Sequence, residues 1–393
     1  MPKKLFIPIA ISIFTLNANA QWVLSNNGLS NTGTFSFAIS GTNIFVGTNI
    51  GVDLSTNNAA NWTSLINGIG PVTSLAIQGN TIFAGTEGDS IYISVNNGSS
   101  WTRANNGLTT NAVYALTVDG NNVFAGTESG IFLSADNGAS WSPRNSGLTN
   151  LDVRAITVDG INMYAGTNGG GVFTSSNNGT SWMPINNGLP AGTWVRSIKI
   201  SGANIFAATD SGIYLSVNNG SSWSAINSGL TDTNIFSLLI IGQDIIAGSE
   251  SGGVFKSSNN GTAWTPINTG FPGFGIAFAL AANATNIFVT MYSDGVYTRP
   301  LNQVTSINEH FYENGFSIFS NPVSDNIIFA FAEPLKIEAT IFISDALGRK
   351  IGSYQIQAGL SEAKKDISEL ARGFYLASIK TAEHTVIRKF VKE

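Results

Sequence analysis

The stretch SVNNGSSW, Ser94 to Trp101, returns almost unchanged at Ser216 to Trp223, and SADNGASW (134–141), SSNNGTSW (175–182) and SSNNGTAW (257–264) are close variants. With a looser copy at Ser55, the boxes start at residues 55, 94, 134, 175, 216 and 257, a spacing of 39 to 41 residues. Each is preceded by two short apolar runs, as in NNVFAGTESGIFLS (121–134), and further upstream by a third, such as AVYALTV (112–118). The reading is four strands per unit, with the box as the hairpin between the third and fourth. Asn-Gly accepts positive φ in a tight turn. The Asn and Ser side chains bond the nearby backbone, and the Trp covers the turn with apolar area.

A repeat of this length, built from four short strands, predicts a β-propeller. After each box a Trp leads into an Asn-Gly-Leu-like tail, as in WTRANNGL and WMPINNGL, with WTSLINGIG as a looser copy. A seventh tail, WVLSNNGL (22–29), has no box before it, while the last strand pair, NIFVTMYSDGVYTRP (286–300), has none after it. The two fragments complement each other, so the expectation is an all-β, seven-bladed propeller over residues 21–300. Its last blade takes an outer strand from the start of the mature chain, which removes an exposed edge.

The box resembles the Asp-box (BNR repeat) of sialidases, sortilin-like proteins and related propellers, in which it lies on the rim opposite the ligand face. Here the acidic position is filled by Asn57, Asn96, Asp136, Asn177, Asn218 and Asn259. Only Asp136 keeps the acid. A turn needs an acceptor and not a charge, so the box reads as scaffold.

Composition narrows the function. Charged residues are 11% of the 393, the net charge is −5, there is no cysteine, and the two histidines are His310 and His384. No basic surface for nucleic acid, no thiol nucleophile, no metal site and no cofactor are expected. Lys3 and Lys4, the apolar run LFIPIAISIF and Ala18-Asn19-Ala20 read as an export signal over residues 1–20. No other segment is long and apolar enough to span a membrane.

Past Arg299 the chain changes character: 20 of residues 21–299 are charged, against 21 of the 94 residues from 300 onward. Residues 301–315 read as a linker and 316–393 as a small Ig-like sandwich of about seven strands. FSIFSNPVSDNI (316–327), ISDALGRKI (343–351), DISELARGFYLASI (366–379) and IRKFVKE (387–393) resemble, in order, the motifs of the type A sorting domain of the type IX secretion system of Bacteroidetes. In that family the opening turn is Pro-Asn-Pro, and Ser320 replaces its first proline. The resemblance implies a partner, the secretion machinery, and delivery across the outer membrane to the cell surface or beyond.

Aligning the inner strands sets Phe35, Thr73, Tyr114, Arg154, Arg196, Phe236 and Phe278 in one ring at the channel mouth. Arg154 and Arg196, with Tyr114, Phe35, Phe236 and Phe278, are the candidate ligand-binding residues. Guanidinium grips carboxylate or sulfate through a planar fork, and the aromatics offer faces to sugars. The competing expectation is that the arginines pair with connection acids such as Glu128 and Asp210. Those connections also hold Glu87, Asp89, Glu250 and Asp294, from which a glycoside hydrolase would need a carboxylate pair. Their repetition around the ring argues for turn acids. The expectation is a non-catalytic binding module for a polysaccharide or a protein. The alternatives are a glycoside hydrolase and a structural or adhesion component.

Overall fold

The structure is a computed structural model that describes residues 21–273, 275–304, 316–319, 323, 325–331, 338–345, 349–380 and 385–392. The expected export signal, the expected linker from residue 305 onward, both histidines, and the expected turns at 320–322 and 346–348 lie outside the described residues. The chain divides into two compact units that part between Thr305 and Ser306.

In the first unit the repeat becomes a set of four-stranded antiparallel sheets. The strands Val153–Asp159, Asn162–Thr167, Gly171–Ser175 and Met183–Pro184 pair in chain order, and seven sheets of this kind occur among the described residues. The innermost strand of each sheet packs against the innermost strands of the two flanking sheets, and the series closes on itself from Thr34–Ser40 round to Ala277–Ala282. The second strand, for example NMYAGT, is buried at every position but its first. It is covered on both faces, which is why these strands read as continuous apolar runs and not as alternating ones.

The apolar clusters lie between sheets. Phe124, Ile131 and Leu133 of one sheet share a cluster with Val153, Met163 and Phe173 of the next. Each fully buried Phe contributes on the order of 1.5–3 kcal/mol, and one stands at this place in most second strands, such as Phe83, Phe124, Phe206 and Phe288. The tryptophans fasten the same junctions. The Trp182 indole N–H donates to the Arg144 carbonyl of the preceding sheet at 2.9 Å, and Trp62, Trp141, Trp223 and Trp264 repeat the bond. Trp101 differs: it bonds Gly98 of its own turn at 3.1 Å.

The box is a closed hydrogen-bonding unit. The Ser175 hydroxyl donates to Asn177 Oδ1 at 2.8 Å and accepts from the Gly179 N–H at 3.0 Å, while Asn177 Oδ1 also accepts from the Ser181 N–H at 3.0 Å. Asn178 and Gly179 take φ of 59° and 74°, the left-handed pair that the dipeptide supplies. In Asp136 the same bonds fall on a carboxylate, and those from Ser140 and Ser134 pull its pKa down to about 2.

The tail has its own task. Asn186 Oδ1 accepts from the Val172 N–H at 2.7 Å and its amide donates to the Gly170 carbonyl at 2.9 Å, sealing the turn between the second and third strands. Asn145, Asn227, Asn268 and Asn26 accept from the corresponding strand N–H. The tail glycine is dictated by contact: a Cβ on Gly147 would stand 2.1 Å from the Trp182 carbonyl oxygen.

The last sheet is assembled from both ends of the unit. Val23–Leu24 pairs with Gly295–Pro300, Val23 opposite Thr298 and Leu24 opposite Tyr297. Asn26 accepts from the Val296 N–H at 2.9 Å across 270 residues of chain, and Trp22, only 1% exposed, donates to the Ile267 carbonyl at 2.7 Å.

The second unit contains a three-stranded sheet (Phe316–Phe319, Asn326–Phe331, Glu362–Asp366) and a four-stranded sheet in the order Lys350–Ile356, Ala339–Asp345, Gly373–Lys380, Thr385–Lys392. Ile327, Phe329, Ile341, Ile343, Ala377 and Phe390 form the core between them, with Leu370 packed against it. The Tyr375 hydroxyl donates back to the Ala371 carbonyl at 2.7 Å, so Leu370 and Tyr375 of the Leu-x-x-Gly-x-Tyr motif both fasten one corner.

Candidate functional site

In all seven innermost strands the pairing register slips at the same place. The slip lies between Val153 and Ala155, and between Val195 and Ser197, with equivalents in the other five. The residue inside each slip is Phe35, Thr73, Tyr114, Arg154, Arg196, Phe236 or Phe278. An extra residue in a bulge leaves the ladder, and its side chain is re-aimed. All seven line one cavity of about 370 Å³, together with Glu87, Asn168 and Trp194. The six candidate residues and Thr73 therefore meet in one place.

Two further rings surround this one. Two positions before each bulge stand Gly33, Pro71, Ala112, Asp152, Trp194, Asn234 and Ile276. The carbonyl of each accepts a backbone N–H from the connection between second and third strands: respectively Asn49, Glu87, Glu128, Asn168, Asp210, Glu250 and Tyr292. The connections are thus strapped to the mouth by one repeated bond.

The arginines do not pair with Glu128 and Asp210. Arg154 makes a two-pronged ion pair with Asp152, two residues back and just before its strand, at 2.7 and 2.9 Å, and its guanidinium lies 3.6 Å from the centre of the Tyr114 ring. The bulge turns Arg154 back toward its neighbour, a geometry that simple strand alternation does not provide. Asp152 also accepts from Asn168 Nδ2 at 2.7 Å. Arg196 makes no ion pair among the described residues. It donates to Asn234 Oδ1 at 2.6 Å and lies 4.3 Å from the Phe236 ring centre and 5.6 Å from that of Trp194. Asn234 in turn donates to Glu250 at 2.7 Å. Enclosure by protein lowers the Arg196 pKa from its usual value, against the opposing pull of Asp210 and Glu250. Burial raises the Tyr114 phenol, against the pull of Arg154.

The aromatic side of the mouth is self-packed. Phe278 meets Phe35, Phe236 and Tyr292 with centroids 5.1 to 5.7 Å apart, edge to face. The most exposed aromatic rings beside them are Trp194, which lines the cavity and is 47% exposed, and Tyr292, 43% exposed and packed against Phe35 and Phe278. Neither was singled out from the sequence, and nor were Asp152, Asn168 and Asn234. The available signal was positional: Asp152, Trp194 and Asn234 occupy one place in the repeat. Of the connection acids, Glu87 lines the cavity; Glu128 accepts from Thr110 at 2.9 Å, and Asp89 pairs with Arg103 at 2.7 Å. Among the described residues no group of three His, Cys, Asp or Glu is placed to hold a metal, and no helix is long and apolar enough to cross a membrane.

Residues 317–393 match the secretion system C-terminal sorting domain, and residues 145–292 match the DUF6242 beta propeller domain. The chain carries a β-propeller domain and a type IX sorting domain. The sorting domain points to export across the outer membrane, to the surface or the extracellular space, and to engagement with the secretion machinery. Among solved structures, YCF48 from Cyanidioschyzon merolae is similar at 14% identity, with a TM-score of 0.57 over 73% of this chain and 100% of that one. YCF48 bound to D1 peptide aligns at 16% identity, with a TM-score of 0.57 over 74% and 96%. The GH74 xyloglucanase from Xanthomonas campestris aligns at 14% identity, with a TM-score of 0.58; it is matched over 80% of this chain and 60% of the enzyme. At such identities the likeness is one of fold. No curated protein matches the chain.

Proposed function

We propose that the protein is an exported binding module, a seven-bladed propeller of Asp-box type that presents its mouth to a polysaccharide or a protein at or beyond the cell surface. In this reading residues 1–20 are the export signal, 21–300 the propeller, 301–315 a linker and 316–393 an Ig-like sorting domain. The observation that carries it is the cavity itself: seven bulges aim seven side chains into one opening, and one of them, Arg196, is a cation held by an amide and aromatic rings with no carboxylate in contact among the described residues. A planar donor fork of this kind suits a carboxylate or sulfate. Trp194 supplies a half-exposed ring beside it.

A hydrolase would need two carboxylates flanking the scissile bond, and the cavity lining offers Glu87 alone among the connection acids. The weight therefore falls on binding. The test is a glycan array, with a parallel pull-down of surface proteins, using the chain and its Arg154→Ala/Arg196→Ala variant. The expected result is a ligand lost by at least tenfold in the variant, with the melting temperature nearly unchanged. A ligand retained in full by the variant would move the site elsewhere, and the absence of any ligand would leave a structural role.

A further inference from the structure

We infer that the axial channel continues the mouth and ends in an anion subsite at Lys199, so that a single anionic end group on an otherwise neutral ligand is drawn past Arg196 and seated at Lys199. This inference rests on the mouth being the ligand's entrance. The mouth cavity and a channel cavity of about 240 Å³ share every bulge residue but Arg154, and the channel runs on past them to Lys199. Lys199 lies three residues beyond Arg196 on the strand Val195–Ser201, roughly 10 Å further along.

The repeat sets the background against which Lys199 stands out. The equivalent positions in the other six inner strands are Ala38, Ala76, Thr117, Thr157, Leu239 and Ala281. Lys199 thus brings an amine to the channel wall at a level where the equivalent positions carry small or apolar side chains. It is open to the channel, and among the described residues it makes no hydrogen bond or ion pair. The surrounding protein alone pushes its pKa below the usual lysine value. An anion would relieve that cost, because an opposite charge nearby favours the ammonium.

The outer ring sets the selectivity. Of its seven residues, Glu87, Glu128, Asp210 and Glu250 are carboxylates, so a polyanion approaching the mouth meets repulsion at the rim before attraction within. A chain with one charged end carries only that charge past the rim, by way of Arg196, and seats it at Lys199, leaving its neutral part among the rim carboxylates. A free oxyanion and the end group of a larger ligand share this chemistry.

The test is NMR of the lysine ε-methylene signals in the purified full chain, titrated with inorganic sulfate, glucuronate or an oligogalacturonate. The expected result is a shift of one lysine signal with sulfate or glucuronate. That shift disappears in Lys199→Met, returns in part in Lys199→Arg, and is accompanied by at least tenfold weaker binding in the methionine variant at an unchanged melting temperature. Response to glucuronate assigns an end group, and response to sulfate alone assigns a free anion; either supports the subsite. No lysine shift, equal affinity in Lys199→Met, or tighter binding of oligogalacturonate than of glucuronate overturns it. A ligand found on the array but indifferent to Lys199→Met would overturn the subsite while leaving the mouth reading intact.

Discussion

The two ends of the ring use the same repeat in opposite ways. At the box end, six turns place Ser and Asx in the same bonds, with Gly completing five of them and Ala59 the sixth, and the sheets are joined by tryptophans that differ in one case of six. At the mouth end the backbone is as regular, with seven bulges and seven straps, yet the side chains it aims are unlike: phenylalanines, a threonine, a tyrosine and two arginines. Repetition of side chain and backbone together marks what holds the ring. Repetition of backbone alone, with divergent side chains, marks what the ring presents.

Substitutions test that division. Trp182→Ala, at the box end, removes a side chain 3% exposed and the bond to Arg144. The expected loss is about 3–5 kcal/mol, read from denaturant unfolding, whereas Arg196→Ala at the mouth should cost far less. Equal losses would erase the distinction. Asn186→Ala strips the seal from one strand turn and leaves a buried N–H of Val172 without its acceptor, for an expected loss of about 1–3 kcal/mol. Ligand binding, if the mouth is rigidly strapped, should change little.

The smallest effect separates the one acidic box from its neighbours. The Asp136 pKa is lowered from 3.8 to about 2 in the folded state, so its contribution is complete above the unfolded value and is lost as pH falls from about 4 toward 2. Asp136→Asn, which copies the other boxes, should remove that slope. Melting temperatures of the two proteins across this range should converge toward low pH; parallel curves would show that the carboxylate adds nothing beyond an acceptor.

Much of this was legible because the repeat is a measuring rod. The box positions locate the third-to-fourth hairpins, and the orphan tail at Trp22 locates the seam. The ring of seven followed from counting along equivalent strands. What counting does not supply is the bulge, and with it the direction of each side chain. Arg154 therefore found Asp152, a residue that strict alternation would leave beside it on the same face without the fork-to-fork approach. Trp194 and Tyr292 escaped notice because they sit in two different rings of the repeat, one two positions before a bulge and one in a connection between second and third strands. The first sheet hides another departure: Asp53, fully buried, stands where other third strands carry Phe132, Phe173 or Phe255, and is held by the Ser30 N–H at 2.6 Å. Substitution of an aromatic by a carboxylate inside a repeat can be seen in sequence; its burial cannot.

The seam gives the molecule a direction of mechanical weakness. Val23–Leu24 runs antiparallel to Gly295–Pro300, so the start of the first strand and the end of the last lie side by side. Tension applied between residue 21 and residue 300 would load the two residue pairs of that ladder one after another, as a zipper opens, and not all at once in shear. Trp22 is the first point to resist, through its buried indole and its bonds to Ile267 and Thr269. A molecule pulled by these two ends would yield at one sheet while the other six stay closed around their junctions.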